Sequence, residues 1–126
     1  MKILVLSDHY PPYYKGGHEI RIMSTAEGLS RKGHDVFVLT SKFGVNGKSK
    51  NDKVLRVLNY LEIGHARGIR KRYEEIKIAS LGRQNYFITK GAVQAVKPDI
   101  VYAGEISHLS LYPIRALERY SIPIVH

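Results

Sequence analysis

The sequence predicts an α/β domain: a Rossmann-like parallel sheet of about five strands flanked by helices. Three observations predict it. Short apolar runs recur at residues 2–7, 35–41, 54–61, 99–103 and 122–125. Runs without polar alternation suit strands covered on both faces. Segments with helical apolar spacing lie between most of these runs, the order expected of right-handed crossovers. The chain has 126 residues, 44% of them hydrophobic and 25% charged, which describes one globular domain with a real core.

The elements follow in order. Lys2 to Ser7 forms the first strand. The stretch from Asp8 to Gly17 holds Pro11, Pro12, Gly16 and Gly17 and reads as a loop. A helix is expected from about His18 to Lys32, with Ile22, Met23, Ala26 and Leu29 on its apolar stripe and Ile20 at the edge. Gly33 supplies its left-handed stop. Asp35 to Ser41 is the second strand, residues 42–53 a polar loop, and Val54 to Leu61 the third strand, so one connection lacks a helix. Residues 62–72 read as irregular and basic. Helical spacing then runs from about Tyr73 to Val96, placing Ile78, Leu81, Ile88, Ala92 and Ala95 on one face. Gly82 and Gly91 lie inside this segment, each costing about 1 kcal/mol against alanine, so it reads as one helix or two. Pro98 ends it. Asp99 to Ala103 is the fourth strand, a helix runs from near Tyr112 to near Tyr120, and Ile122 to Val125 is the fifth strand. A parallel strand at the very end of a chain points to a truncated domain.

Composition removes several classes of function. There is no cysteine, which excludes disulfides and thiolate metal sites. No apolar run is long enough to span a bilayer, and the start of the chain lacks a signal-peptide pattern. A cytoplasmic protein is expected. The histidines His9, His18, His34, His65, His108 and His126 show no metal-binding spacing, so no metal is expected. Lys plus Arg is 20 against 11 for Asp plus Glu, giving +9, a field that favours anionic partners. Much of it lies in residues 65–90, where Arg67, Arg70, Lys71, Arg72, Lys77, Arg83 and Lys90 accompany an apolar line of Ile69, Tyr73, Ile76, Leu81 and Phe87. Such a segment suits either an anionic membrane surface or a solvated helix face.

Open parallel sheets bind ligands at the carboxyl ends of their strands. Those ends carry Ser7-Asp8-His9, Ser41, Glu62, Gly104-Glu105 and His126. The Gly16-Gly17 pair before the first helix would let a phosphate reach free helix amides, or it is simply a turn. It has the spacing of neither the dinucleotide fingerprint nor the Walker loop. His9, Glu105 and His126 are candidate substrate-binding residues by position. Glu105 could receive a sugar hydroxyl or cap the following helix.

Two stretches resemble the GT-B glycosyltransferases of family 4. Residues 2–41 resemble the opening of that family in Pro11, Pro12, Gly16, Gly17, Glu19, Leu29, Gly33, His34 and Val36. Residues 97–126 resemble its Lys-Pro-Asp strand and its Ile-Pro-Ile-Val strand leading to a histidine. Residues 42–96 resemble no named family. The resemblance implies transfer of a sugar from a nucleotide-sugar donor with retention of configuration, no metal, and an N-terminal domain that binds a sugar or lipid-linked acceptor. It implies that Gly16 and Gly17 reach the donor phosphates and that His126 contacts the donor sugar. That family often has a histidine after the fourth strand, where this chain has Gly104-Glu105. The donor-binding second domain is expected beyond His126, and residues 1–126 alone are expected to be inactive.

Two other functions compete. A stand-alone α/β nucleotide- or phosphate-binding or signalling module, such as a receiver, would need an acidic cluster that the sequence does not display around Asp8. Nucleic-acid binding would rest on charge alone, since no recognised module is present.

Overall fold

The computed structural model describes residues 1–45, 51–62 and 67–126. Five strands and three helices follow one another: β1 (Lys2–Leu6), α1 (Gly17–Arg31), β2 (Asp35–Ser41), β3 (Val54–Leu58), α2 (Ile69–Val96), β4 (Ile100–Ala103), α3 (Tyr112–Glu118) and β5 (Ile124–Val125). The strands form one parallel sheet in the order β3-β2-β1-β4-β5. This is the Rossmann order, whereas receiver domains place the second strand at the edge. The strand order therefore argues against the receiver alternative. It also puts the topological switch between β1 and β4, and the crevice of an open α/β sheet forms there.

Period-two alternation in β1 divides the core. Leu4 and Leu6 point into the layer under α2 and α3, with Leu39, Leu58, Val93, Val101 and Leu117. Ile3 and Val5 point to the other face, where Ile22 and Ala26 of α1 join Val36, Val38 and Val54. The stripe expected on α1 is the one that packs: Ile22 and Ala26 are buried, Met23 and Leu29 partly buried, and Ile20 exposed. Gly33 has φ +93°, the left-handed stop the sequence predicts.

Four local expectations change. The third strand ends at Leu58 rather than Leu61, because the Asn59 amide leaves the ladder to donate to Asn85 Oδ1 at 2.7 Å. The second long helix is continuous and begins at Ile69, inside the stretch read as irregular. Its glycines do not break it. Gly82 is buried where Tyr112 of α3 packs closely, and Gly91 faces solvent. The buried face of α2 runs through Gly82, Asn85, Thr89, Ala92, Val93 and Val96, which leaves Ala95 exposed. Finally, β5 is confined to Ile124–Val125, and the Pro123 carbonyl accepts from the Val101 amide at 2.9 Å.

Candidate functional site

The carboxyl end of β1 stays buried past the last strand residue. Ser7 and Asp8 are fully buried and His9 is 3% exposed. Backbone bonds explain why. The Asp8 amide donates to the Glu105 carbonyl at 2.8 Å, and the Ser41 hydroxyl donates to the Asp8 carbonyl. The loop then turns through a cis Pro11-Pro12 bond. Arg56 of β3 holds that turn, with Nη1 donating to the Tyr10 carbonyl at 2.9 Å and Nη2 to the Pro11 carbonyl at 2.6 Å. Its guanidinium also lies over the Tyr13 ring at 5.1 Å. Partial burial lowers the Arg56 pKa, an effect the Tyr13 and Tyr10 rings' hydroxyls oppose.

Inside this frame Asp8 joins two imidazoles. Its Oδ1 lies 3.0 Å from His9 Nδ1 and its Oδ2 lies 2.8 Å from His108 Nδ1, which comes from the loop after β4. A carboxylate can only accept, so both histidines donate to it from Nδ1. Glu19, buried in the first turn of α1, places Oε1 3.3 Å from His9 Nδ1 and receives the Gly16 amide on Oε2 at 3.2 Å. His9 Nε2 is buried without a hydrogen-bond partner among the described residues. The His9 ring meets those of Phe43 and Tyr60 in T-shaped contacts with centroids 4.6 and 5.0 Å apart, and Tyr60 stacks on His108 with centroids 4.7 Å apart. Lys15 crosses the rim and donates to the Tyr60 hydroxyl at 3.0 Å, a bond that raises its pKa. The ligand atoms of Asp8, His9 and His108 lie within 4.8 Å of one another, close enough for a cation. The short contacts among them are equally accounted for as N–H to carboxylate hydrogen bonds.

Beside this cluster, at the switch between β1 and β4, lies an open concavity of about 330 Å³. His18 and Arg21 of α1 form one wall, Tyr102 and Glu105 the other, and His126 closes it after β5. A second cleft, of about 380 Å³, lies between Tyr60 and Glu62 after β3 and Glu74 and Lys77 of α2. A larger hollow of about 660 Å³ lies at the opposite, amino edge, beside Lys97, Pro98 and Tyr120.

The sequence-predicted residues therefore separate. Glu105 and His126 share the concavity. Glu105 is also turned toward its own loop: Ser107 donates its amide to Oε1 at 3.1 Å, and its hydroxyl and amide hold the carboxyl below the usual range. His9 is at the carboxyl edge but inward, in the Asp8 cluster. Gly16 and Gly17 are exposed at the start of α1. Gly16 has φ −154°, extended backbone open to any residue, and a Cβ on Gly17 would meet nothing within 4 Å. Sequence reasoning missed Asp8, Glu19, Tyr60 and His108 as members of one group. The one available signal was that each stands at or just after a predicted strand end, or in the first turn of the first helix. His65 lies outside the described residues.

Fold and site together define the class: a Rossmann-like α/β domain with its crevice at the β1–β4 switch. The chain superposes on MurG of Acinetobacter baumannii, a GT-B glycosyltransferase, with a TM-score of 0.60. The identity is 17%, and the match covers 98% of this chain and 34% of MurG. The sequence is 28% identical over 133 residues to an uncharacterized 42.6 kDa protein in the cps region of Klebsiella pneumoniae, a match covering all of this chain and 36% of that protein. The chain thus spans about a third of the length of each. No family model matches it. None of the described helices is long and apolar enough to cross a membrane.

Proposed function

We propose that residues 1–126 are the acceptor-side, N-terminal domain of a retaining, cytoplasmic glycosyltransferase of family 4, acting on a nucleotide-sugar donor and a sugar or lipid-linked acceptor. A donor-binding domain follows in the complete enzyme, and the first domain alone turns nothing over. The observation that carries this reading is the pair Gly16-Gly17. Neither backbone geometry nor packing within the chain requires glycine at these two positions. Glycine is then explained by what approaches from outside, and a helix start attracts phosphate. Lys15 and Arg21 add positive charge on either side of it.

In this reading the concavity bounded by His18, Glu105 and His126 receives the sugar. His126 and Glu105 supply hydrogen bonds to hydroxyls, and the donor phosphates rest on the open amides near Gly17. Asp8 and Glu19 fix the imidazole of His9, so His9 acts by shaping the floor of the site. The cluster works as a hydrogen-bonded unit without a metal.

The test is Gly17→Val in the complete enzyme. A Cβ branch fits the space left free in the chain but occupies the space assigned to phosphate. Sugar transfer should fall roughly hundredfold, the scale of losing one positioned donor to a developing charge, with the melting temperature unchanged. An unaffected rate removes the loop from the site.

A further inference from the structure

The three hollows described above differ in the charge they present. The concavity at the β1–β4 switch sets Arg21 against Glu105, and the hollow at the amino edge carries Lys97 and Arg119 with no acid. The cleft after β3 carries Glu62 and Glu74 against Lys77. Of the three it alone has an acidic excess, in a chain of net charge +9. None of its three charged side chains is ion-paired among the described residues. Spacing would permit a pair, since Glu74 and Lys77 stand at i and i+3 of one helix. The neighbouring Glu75 does pair, with Lys71 at 4.0 Å. The remaining walls are apolar or aromatic. Ile78 and Leu81 are half-buried where they line the cleft. Tyr60 joins the cleft to the Asp8 cluster, because its ring stacks on His108. Glu105 of the concavity precedes His108 by only three positions in the sequence, so cleft and concavity flank the same cluster.

The chemistry of these walls selects an occupant. A volume of about 380 Å³ is at the small end of ligand sites. An anion is repelled here by two carboxylates and drawn to the other two hollows. A cation would face Lys77 in the same cleft and the positive field of the whole chain. A purely apolar ligand would strip water from three charges and give nothing back. An uncharged polyol satisfies every wall. Adjacent hydroxyls donate to Glu62 and Glu74, an oxygen accepts from Lys77, and the C–H face of the ring covers Ile78 and Leu81. We infer that the cleft after β3 holds an uncharged sugar residue and excludes a sugar that bears phosphate. Its role rests on the transferase reading: there it is a sugar of the acceptor, with the Asp8 cluster between it and the donor concavity.

The test is methyl NMR of the protein, expressed with whatever follows His126 in its reading frame and isotope-labelled at isoleucine. Ile78 reports the cleft, and Ile22 and Ile106 report the concavity. The probes are methyl glucoside, methyl mannoside and methyl galactoside, with glucose-6-phosphate as the anionic counterpart. At least one neutral glycoside should move the Ile78 methyl, with millimolar affinity, and leave Ile22 and Ile106 in place. Glucose-6-phosphate should leave Ile78 in place. Glu62→Gln with Glu74→Gln should weaken the glycoside by about tenfold for each charge-assisted bond made neutral. Glu62→Lys with Glu74→Lys should reverse the preference, so that glucose-6-phosphate moves Ile78, a gain that a damaged fold cannot produce. The inference is overturned if no glycoside moves Ile78, if the glycosides move Ile22 and Ile106 instead, or if glucose-6-phosphate moves Ile78 of the unaltered protein equally. The transferase reading stands or falls separately, on the rate of Gly17→Val.

Discussion

The same substitution at two places in α2 should change stability in opposite directions. Replacing a helix-interior glycine by alanine is worth about 1 kcal/mol in helix propensity, largely by restricting the unfolded chain. At Gly91 an added Cβ meets nothing within 4 Å and the backbone is not left-handed. Gly91→Ala should therefore stabilise by about 0.5–1 kcal/mol. At Gly82 the Cβ would lie 2.9 Å from Cδ2 and 3.2 Å from Cε2 of Tyr112, and 3.3 Å from Ser110 Oγ. The nearer two atoms belong to a ring whose backbone opens α3 just before Pro113, so it yields only by shifting the helix contact. Such overpacking costs about 1–3 kcal/mol. Set against the propensity gain, Gly82→Ala should lose about 1 kcal/mol, leaving the two variants about 2 kcal/mol apart. Urea unfolding followed by circular dichroism measures both, with the slope unchanged if only stability moves. Tyr112→Leu should restore the gain to Gly82→Ala. If both alanine variants stabilise equally, the close packing of α2 on α3 at Gly82 is wrong.

Two further outcomes follow from the site. Asp8→Asn keeps the volume but turns an amide N–H₂ toward one of the two imidazoles that Asp8 bridges. It should destabilise by about 2 kcal/mol, the scale of one bond to a charged group, and a loss below about 0.5 kcal/mol by denaturant titration would mean the three side chains act independently. Ser107→Ala should raise the Glu105 pKa back toward its ordinary value in a carboxyl NMR titration, since the Ser107 hydroxyl and amide are what lower it. A folded-state pKa held low contributes stability above the unfolded value and loses it as pH falls through the folded one. The variant should therefore lose less stability on acidification, and an unmoved titration midpoint would show that Glu105 does not hold this turn.

The fold was legible because its signals are local. Apolar runs without alternation marked buried strands, and Gly33 marked the end of α1 where φ turns positive. Boundaries failed where a distant side chain decides them. Nothing near Asn59 announces that its amide leaves the ladder for Asn85, 26 residues away. Likewise, Gly82 looked like a break in a helix because Tyr112, the residue that needs its missing Cβ, is 30 positions further on in the sequence numbering.

The candidate site divides in the same way. That Glu105 and His126 stand at strand ends followed from the pattern, and they do share a concavity. Their orientation did not follow, because it depends on Ser107 and on what α1 presents across the crevice. Asp8 is the sharper case. Its neighbour His9 was read as a surface ligand candidate, and Asp8 itself as standing nearly alone. Yet strand order brings the loop after β4 against the end of β1, and the Asp8 amide bonds the Glu105 carbonyl there. That contact excludes water from the carboxylate, and a carboxylate so placed must find donors or become neutral. His108, 100 residues away, answers that need from one side, and His9 answers it from the other. The pairing is thus a consequence of topology acting on one buried charge. In a sheet of this order, the residues to suspect first are the charges that the switch point buries, whatever their local sequence suggests.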